Sequence, residues 1–152
     1  MASRFRRVPV RLTSLSVWLT ALLAIAGCQQ PSSPPHLEGA EILITDANFE
    51  QEVLQSDLPV LVDFTASWCG PCQMMRPIVA NLSTNFEGRA KVGILDVDSS
   101  PGMAEEYRIN AIPAILIFEG GEVVARLEGT RSYEQLSQIL EQHLSEKATA
   151  SL

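Results

Sequence analysis

The chain has 152 residues, of which 46% are hydrophobic and 19% charged, a composition typical of one globular domain with its own core. This composition excludes a disordered chain and a protein with several membrane spans. From residue 28 onward, 18 acidic side chains stand against 7 basic ones, and the resulting net charge of −11 disfavours binding to nucleic acid.

The N-terminal segment has the three-part pattern of a bacterial export signal. A basic region is followed by the uncharged, mostly apolar stretch 12–27, which is shorter than the roughly 20 residues of a membrane span. The sequence IAGC at residues 25–28 resembles the lipobox of bacterial lipoproteins. This resemblance implies that residues 1–27 are a signal peptide and that Cys28 is lipidated. We therefore expect a protein anchored to a bacterial envelope membrane and facing the periplasm or the exterior. The alternative is an uncleaved signal anchor in which this cysteine is incidental.

The chain after this signal divides into a tether, a folded domain and a tail. Residues 28–40 include three prolines and two serines but little apolar bulk. Such a segment cannot bury enough surface to fold, so we expect it to tether the lipidated cysteine to the domain. Residues 41–145 are predicted to form the domain, and residues 146–152 a flexible tail.

Five short apolar or β-branched runs predict the strands of one sheet. They cover residues 41–44, 60–66, 91–97, 114–118 and 122–127. The run at 60–66 is typical of a central strand that is covered on both faces. Gly120 and Gly121, between the last two runs, predict a tight hairpin turn.

Two helices are predicted on either side of the run at 60–66. The first contains apolar residues at helical spacing (Phe49, Val53, Leu54), and Thr45 or Asp46 is predicted to cap its N-terminus. The second runs from near Cys69 to about Phe86 and contains a proline, Pro77, that is expected to kink it.

Two further helices complete the pattern. A turn at residues 99–102 leads into a short helix that ends near Tyr107. Ser132 and Gln135 form a capping-box pattern that opens the last helix. The order β-α-β-α-β-α-β-β-α predicts an α/β fold in which helices flank a central mixed sheet on both faces.

A cysteine pair lies where the buried strand gives way to the second helix. Cys69 and Cys72 are three residues apart on a helical turn, so they can cycle between a dithiol and a small disulfide ring. Pro71 suits the first turn, where its missing N–H costs nothing. The free N–H groups and dipole of a helix N-terminus lower the pKa of the first cysteine. Cys69 is therefore the predicted nucleophile, and Cys72 the thiol that resolves the mixed disulfide.

Two other interpretations of this pair are less well supported. A zinc site needs a second pair of ligands, but the remaining cysteine is Cys28, and the histidines lie in the tether and the last helix. We therefore expect no metal. An inert structural disulfide would normally bridge distant segments, because so small a ring restrains little of the unfolded chain.

The sequence VLVDFTASWCGPCQMMRPIV, residues 60–79, is similar to the active-site segment of thioredoxins. The similarity continues through NAIPAILIFEGGEVVARLEG, residues 110–129, to the last helix. This resemblance implies a thioredoxin fold over residues 41–145. It also implies a thiol–disulfide oxidoreductase with no cofactor besides the Cys69–Cys72 disulfide.

The resemblance also assigns roles to individual residues around the WCGPC motif. It makes Trp68 the aromatic residue beside the disulfide, with Gly70 and Pro71 between the cysteines. It places Ile112 and Pro113 in a cis-proline loop that faces the cysteines. Gly129 becomes a small residue that lines the substrate groove.

Asp63 matches the buried carboxylate that thioredoxins carry behind the second cysteine. From the residues alone, an acid in this strand either faces solvent or is buried at a cost to its charge, which raises its pKa. A raised pKa suits proton exchange with Cys72 near neutral pH. The resemblance favours the buried position.

The sequence departs from the thioredoxin pattern at three positions near the motif. Thr65 stands where a second tryptophan is usual, Ile94 where many members have a lysine near the buried acid, and Gln73 where lysine is common. A missing lysine should leave Asp63 more easily protonated. Partner contacts and redox tuning are therefore less transferable than the basic chemistry.

The leading hypothesis is a monomeric enzyme that reduces disulfides in substrate proteins outside the cytoplasm. Its electrons would come from an upstream membrane or soluble thiol donor. The Gly-Pro pair between the cysteines resembles reducing thioredoxins more than the strong oxidants of the family. The alternatives are an oxidant or isomerase that forms disulfides, and a thioredoxin-fold binding module without turnover.

Overall fold

The computed structural model describes residues 40–150, with side chains as far as Leu144. The elements are β1 (Ile42–Ile44), a π-helical segment (Glu50–Leu54), β2 (Val60–Thr65), α1 (Gly70–Asn85), β3 (Lys91–Asp96), α2 (Pro101–Glu106), β4 (Ala114–Glu119), β5 (Glu122–Glu128) and α3 (Tyr133–Ala150). This order confirms the predicted alternation of strands and helices. The predicted signal peptide, the lipidated Cys28 and nearly all of the tether lie outside the described residues.

The five strands form one mixed sheet in the order β1-β3-β2-β4-β5. β1, β3 and β2 run parallel, β4 pairs antiparallel with β2, and β5 pairs antiparallel with β4. β2 is therefore central, which explains why its sequence is almost continuously apolar. The carboxyl end of β2 leads directly to the cysteine pair at the start of α1.

Two apolar clusters cover the two faces of the sheet, as the alternation of side chains along a strand requires. On one face, Leu61 of β2 packs with Met75 of α1 and Leu136 of α3. On the other face, Val62 and Phe64 pack with residues of the π-helical segment and with partly buried residues of α2 and the loop after it. The predicted sheet with helices on both faces is confirmed.

The prediction that Thr45 or Asp46 caps the first helix is wrong. Instead, the side chain of Asn48 closes the turn after β1: its Oδ1 accepts from Thr45 N at 2.7 Å, and its Nδ2 donates to Leu43 O at 2.9 Å. Asp46 caps α2, because its carboxylate accepts hydrogen bonds from the N–H groups of Gly102 and Met103, both at 2.9 Å.

The turn and cap predicted in the C-terminal half are confirmed. Gly120 and Gly121 have φ angles of +58° and +84°, the left-handed pair that a two-residue hairpin requires. Ser132 and Gln135 exchange both hydrogen bonds of the capping box. The helix that follows runs to Ala150, beyond the residue at which the domain was predicted to end. No helix in the described part of the chain is long and apolar enough to span a membrane.

Candidate active site

The two cysteines lie at the N-terminus of α1 and form a disulfide bond, with 5.2 Å between their Cα atoms. Cys69 is the N-terminal cap of the helix, and its Sγ accepts a hydrogen bond from Cys72 N at 3.2 Å. Pro71 lies in the first turn, where its missing N–H leaves no partner unsatisfied. Cys69 is 4% exposed and Cys72 is fully buried. The helix terminus therefore favours a thiolate on the outer sulfur, Cys69.

A second loop lies against the disulfide. Ile112 packs with Cys69 and Cys72 in one apolar cluster, and the peptide bond between Ile112 and Pro113 is cis. The carbonyl of Pro113 accepts a hydrogen bond from the N–H of Gly129 at 2.8 Å. The structure thus brings the predicted cis-proline loop and Gly129 together beside the cysteine pair.

Trp68 is the most prominent apolar side chain at this surface, with 68% of its area exposed. Its Nε1 donates a hydrogen bond to Asp98 Oδ2 at 2.7 Å, which holds the indole against the end of β3. Trp68 and Ile112 line a surface pocket of about 170 Å³. A rigid aromatic face next to an apolar pocket suits the docking of a protein segment around a disulfide.

Two glycines of the predicted site meet different structural requirements. Gly129 has a φ angle of +77°, a left-handed conformation that other residues adopt only at a cost, so its backbone favours glycine. At Gly70 a Cβ atom would meet nothing within 4 Å, and its φ is not in the left-handed region. Gly70 therefore leaves open space between the cysteines on the exposed side.

Asp63 lies in the centre of β2 and is only 1% exposed, so the buried position is confirmed. Its neighbours in the sheet register are Ile94 on β3 and Ile115 on β4, and its Oδ1 accepts no hydrogen bond from the described residues. Burial raises the pKa of Asp63 from its usual 3.8 to about 7, although the positive charge of Arg76 opposes this rise. A carboxyl group with this pKa can both release and accept a proton near neutral pH.

Comparison with known proteins agrees with this geometry. The family model described as Thioredoxin matches residues 40–142. The chain belongs to the thioredoxin family. It is 48% identical to Thioredoxin 1 of Nostoc sp. over 101 residues, which cover 66% of this chain and 94% of the relative. It is 45% identical to the thioredoxin of Synechocystis sp. over 101 residues, with the same shares covered. It is 43% identical to the thioredoxin of Chlorobaculum thiosulfatiphilum over 100 residues, 66% of this chain and 93% of the relative.

Membership in the thioredoxin family makes this chain a protein thiol–disulfide oxidoreductase whose redox group is part of the protein itself. The Cys69–Cys72 disulfide at the N-terminus of α1 fits that activity. Within the described residues, no group of three or more His, Cys, Asp and Glu side chains could hold a metal ion.

Two residues near the cysteine pair, Asp98 and Arg76, have no specific signal in the sequence. Asp98 follows β3, and its role could have been suspected because the carboxyl ends of parallel strands gather polar residues at one edge of a sheet. Arg76 lies four residues after Cys72 on α1, a spacing that places both residues on the same side of a helix. Neither signal is specific without the tertiary structure.

Proposed function

We propose that this thioredoxin-family domain reduces disulfide bonds in proteins outside the cytoplasm. The observation that carries the proposal is the small number of hydrogen-bond donors around the sulfur of Cys69. Among the described residues, the N–H of Cys72 is the one hydrogen-bond donor to Cys69 Sγ. Apolar side chains of Ala66, Val97 and Ile112 pack around the pair.

Limited stabilisation of the Cys69 thiolate sets the direction of the reaction. Strong oxidants of this kind have a thiolate that is stabilised so well that their reduced form is preferred. Here one hydrogen bond and a helix terminus act on the sulfur, so the disulfide form is comparatively stable and the dithiol gives up its electrons. The Gly70-Pro71 pair, which resembles that of reducing thioredoxins, supports the same direction.

The proposed reaction has two steps and transfers two electrons. The Cys69 thiolate attacks one sulfur of a substrate disulfide; a bond forms between them, and the other substrate sulfur leaves as a thiolate that takes up a proton. Cys72 then loses its proton and attacks Cys69 Sγ, which breaks the mixed disulfide and releases the second substrate thiolate. The substrate is reduced, and the Cys69–Cys72 pair is oxidised. A membrane or soluble thiol donor must reduce the pair again.

Asp63 supplies the base for the second step in this proposal. Cys72 is fully buried, so its proton needs an acceptor inside the domain rather than bulk water. A carboxyl group with a pKa of about 7 is partly ionised at neutral pH and can take that proton. The same group returns the proton to solvent or to the departing thiolate after the disulfide has formed.

The direction of electron flow is tested by a redox titration of the purified domain. We expect a midpoint potential more negative than about −180 mV, the value of protein disulfide isomerase. A less negative potential would favour the oxidant or isomerase. In turnover with a protein disulfide and a dithiol donor, Cys69→Ser should abolish reduction, and Cys72→Ser should stop at a mixed disulfide on Cys69. Tight binding of substrate by the wild-type protein without turnover would favour the binding module.

We also propose that the domain works from an envelope membrane, to which it is attached by a lipid on Cys28. The support is the order of a basic region, a short apolar stretch and the IAGC sequence at residues 25–28, followed by a proline-containing tether. A tether of this kind lets the active site reach substrates near the membrane surface.

The anchor is tested by expressing the full chain in a bacterium and separating membranes from soluble protein. Cys28→Ala should release the protein from the membrane or leave an unprocessed precursor. Cys72→Ala is the matched control, since it removes a different cysteine and should not alter attachment. Normal processing and membrane association of the Cys28→Ala variant would exclude the lipid anchor.

A further inference from the structure

The positions at which this chain departs from the thioredoxin pattern line one small pocket. The pocket has a volume of about 160 Å³ and lies between the carboxyl ends of β2 and β3 and the first turns of α1. Its lining includes Thr65, Gln73 and Ile94, the three departures identified in the sequence. Arg76 lines the same pocket. The three departures from the thioredoxin pattern therefore lie together on one wall, beside the buried acid.

Ile94 relates this pocket to Asp63, because it lines the pocket and is the strand partner of the acid. Ile94 is directly opposite Asp63 in the parallel pairing of β2 with β3. Neighbouring strands lie about 4.8 Å apart, and paired residues project to the same face of the sheet. Asp63 and Ile94 are both buried, so the pocket lined by Ile94 lies on the side of the sheet to which the Asp63 carboxyl group projects.

Arg76 is the one cationic residue that lines this pocket. Arg76 is exposed to solvent and makes no hydrogen bond or ion pair with the other described residues. Its positive charge lowers the pKa of Asp63, against the larger effect of burial. The other charged residue in the lining is Asp96. Its Oδ1 accepts from the N–H groups of Asp98 and Ser99, which directs that oxygen toward the turn after β3.

The remaining elements around Asp63 present apolar side chains. β4 places Ile115 opposite it, and α3 contributes Leu136 and Leu140 to the same face of the sheet. From α1, Met75 and Val79 pack in this layer, so Arg76 at the edge of the layer is the source of positive charge on this side. An isoleucine at position 94 cannot supply such a charge.

We propose that Arg76 is a positioning residue for the second step of the reaction, acting across the pocket to keep Asp63 able to accept the proton of Cys72 near neutral pH. The proposal rests on the dithiol cycle given above. The arginine takes part in no bond change: the proton moves from Cys72 Sγ to the Asp63 carboxylate, and the guanidinium stabilises the carboxylate before the transfer. Arg76 thereby takes over the role that the resemblance assigns to a lysine at position 94.

The test compares Arg76→Ala and Arg76→Lys in the full chain. A symmetric nitroaryl disulfide releases one coloured thiolate when Cys69 attacks and a second when Cys72 resolves the mixed disulfide, so stopped-flow kinetics separates the two steps. Arg76→Ala should move the pH midpoint of the second step upward by up to about 0.5 pH unit, because the charge of Arg76 is exposed and solvent screens it. The first step should change little, and Arg76→Lys should retain the wild-type midpoint.

A second measurement follows Asp63 without turnover. Carbon NMR of the Asp63 carboxyl group should show the same upward shift of its titration in Arg76→Ala. Adding Ile94→Lys to Arg76→Ala restores a cation opposite Asp63 and should move the titration back down. Ile94→Met in the same background is the matched control for the change in shape, and urea unfolding of each variant shows that it is folded.

The outcomes separate this proposal from the proposed reductase function. An unchanged titration of Asp63 in Arg76→Ala would overturn the role of Arg76, whether or not the protein reduces disulfides. A shifted titration of Asp63 together with an unchanged pH midpoint of the second step would also overturn it. If the wild-type protein reduces no protein disulfide, the function proposed above fails, whereas the nitroaryl disulfide and NMR measurements still decide the role of Arg76.

Discussion

The indole Nε1 of Trp68 lies 2.7 Å from Asp98 Oδ2, so an exposed tryptophan next to the redox pair is held in one orientation by a carboxylate 30 residues later in the chain. Without this bond the exposed indole would have more conformational freedom to lose if a substrate bound against it. Asp98 thus fixes the orientation of this exposed aromatic side chain beside the cysteine pair. It also links the carboxyl end of β3 to the loop that precedes α1.

Removal of this hydrogen bond should weaken substrate binding more than it affects the fold. We expect Asp98→Ala to raise KM for a protein disulfide about threefold to tenfold, which corresponds to the roughly 0.5 to 1.5 kcal/mol of one hydrogen bond. The free energy of unfolding should change by less than about 1 kcal/mol, since the bond is exposed. Glu87→Gln is a suitable control, because Glu87 lies just beyond α1 at the end away from the cysteines. An unchanged KM would show that the orientation of Trp68 is unimportant.

Alanine should have opposite effects on the free energy of unfolding at Gly129 and Gly70, although both glycines were predicted as site residues. Gly129→Ala places a side chain on a backbone with φ of +77° and should lower the free energy of unfolding by about 1 to 2 kcal/mol. Gly70→Ala adds a methyl group in open space at the start of a helix, so stability should stay the same or increase by up to about 1 kcal/mol. Urea unfolding of the oxidised proteins measures both. Equal losses of unfolding free energy in the two variants would show that the backbone of Gly129 has no greater need for glycine than that of Gly70.

The fold could be predicted well because its signals are local or repetitive. A continuous apolar run predicts the strand at 60–66, and Gly120-Gly121 predicts the hairpin. The capping box predicts the last helix. The motif likewise located the cysteine pair and indicated that Asp63 is buried. In each case the deciding residues lie within a few positions of the structure that they specify.

Contacts between distant residues could not be predicted. Asp46 looked like a cap for the helix that follows it, but its carboxylate binds the N-terminus of α2, 56 residues away. The π-helical segment, with a hydrogen bond from Gln55 N to Glu50 O, has the same apolar spacing as an ordinary helix turn. Arg76 is an exposed helix residue in the structure as well, and only the pocket that it shares with Ile94 links it to the buried acid. These features depend on tertiary packing, which single-sequence patterns do not contain.

The end of α2 carries a conformational cost at Arg108. The helix terminates in a Schellman motif, in which Ile109 N donates to Ala104 O at 2.8 Å and Arg108 N donates to Glu105 O at 3.0 Å. Arg108 occupies the left-handed position of this motif, with φ of +51°, where glycine is the usual residue.

Arg108→Gly should therefore raise the free energy of unfolding by about 1 kcal/mol, because it removes a Cβ from the left-handed region. Arg108→Ala is the control that removes the charged side chain but keeps the Cβ, and it should give no such gain. Urea unfolding of the wild type and the two variants measures the difference in unfolding free energy, with one common slope of free energy against urea concentration. A gain of the same size in Arg108→Ala would assign the effect to the side chain and not to the backbone.

Burial of Asp63 should make the stability of the oxidised protein depend on pH in a defined direction. Its pKa is about 7 in the folded chain and near the ordinary 3.8 when unfolded, so between these values the folded state binds a proton that the unfolded state has released. The stability present below about pH 4 is thus lost progressively as the pH rises toward 7. The full rise of the pKa from 3.8 corresponds to at most about 4 kcal/mol.

Asp63→Asn removes this proton linkage while keeping the shape of the side chain. Its gain in the free energy of unfolding over the wild type should therefore grow between about pH 4 and pH 7 and become constant above about pH 8. Urea unfolding of oxidised wild type and variant across this range gives the difference directly, and contributions from all other titrating groups cancel in it. Glu87→Gln, which removes an exposed carboxylate, corrects for the change in net charge. A difference between Asp63→Asn and wild type that is independent of pH would show that Asp63 is already ionised when buried, and the base proposed for Cys72 would then have no proton affinity suited to that role.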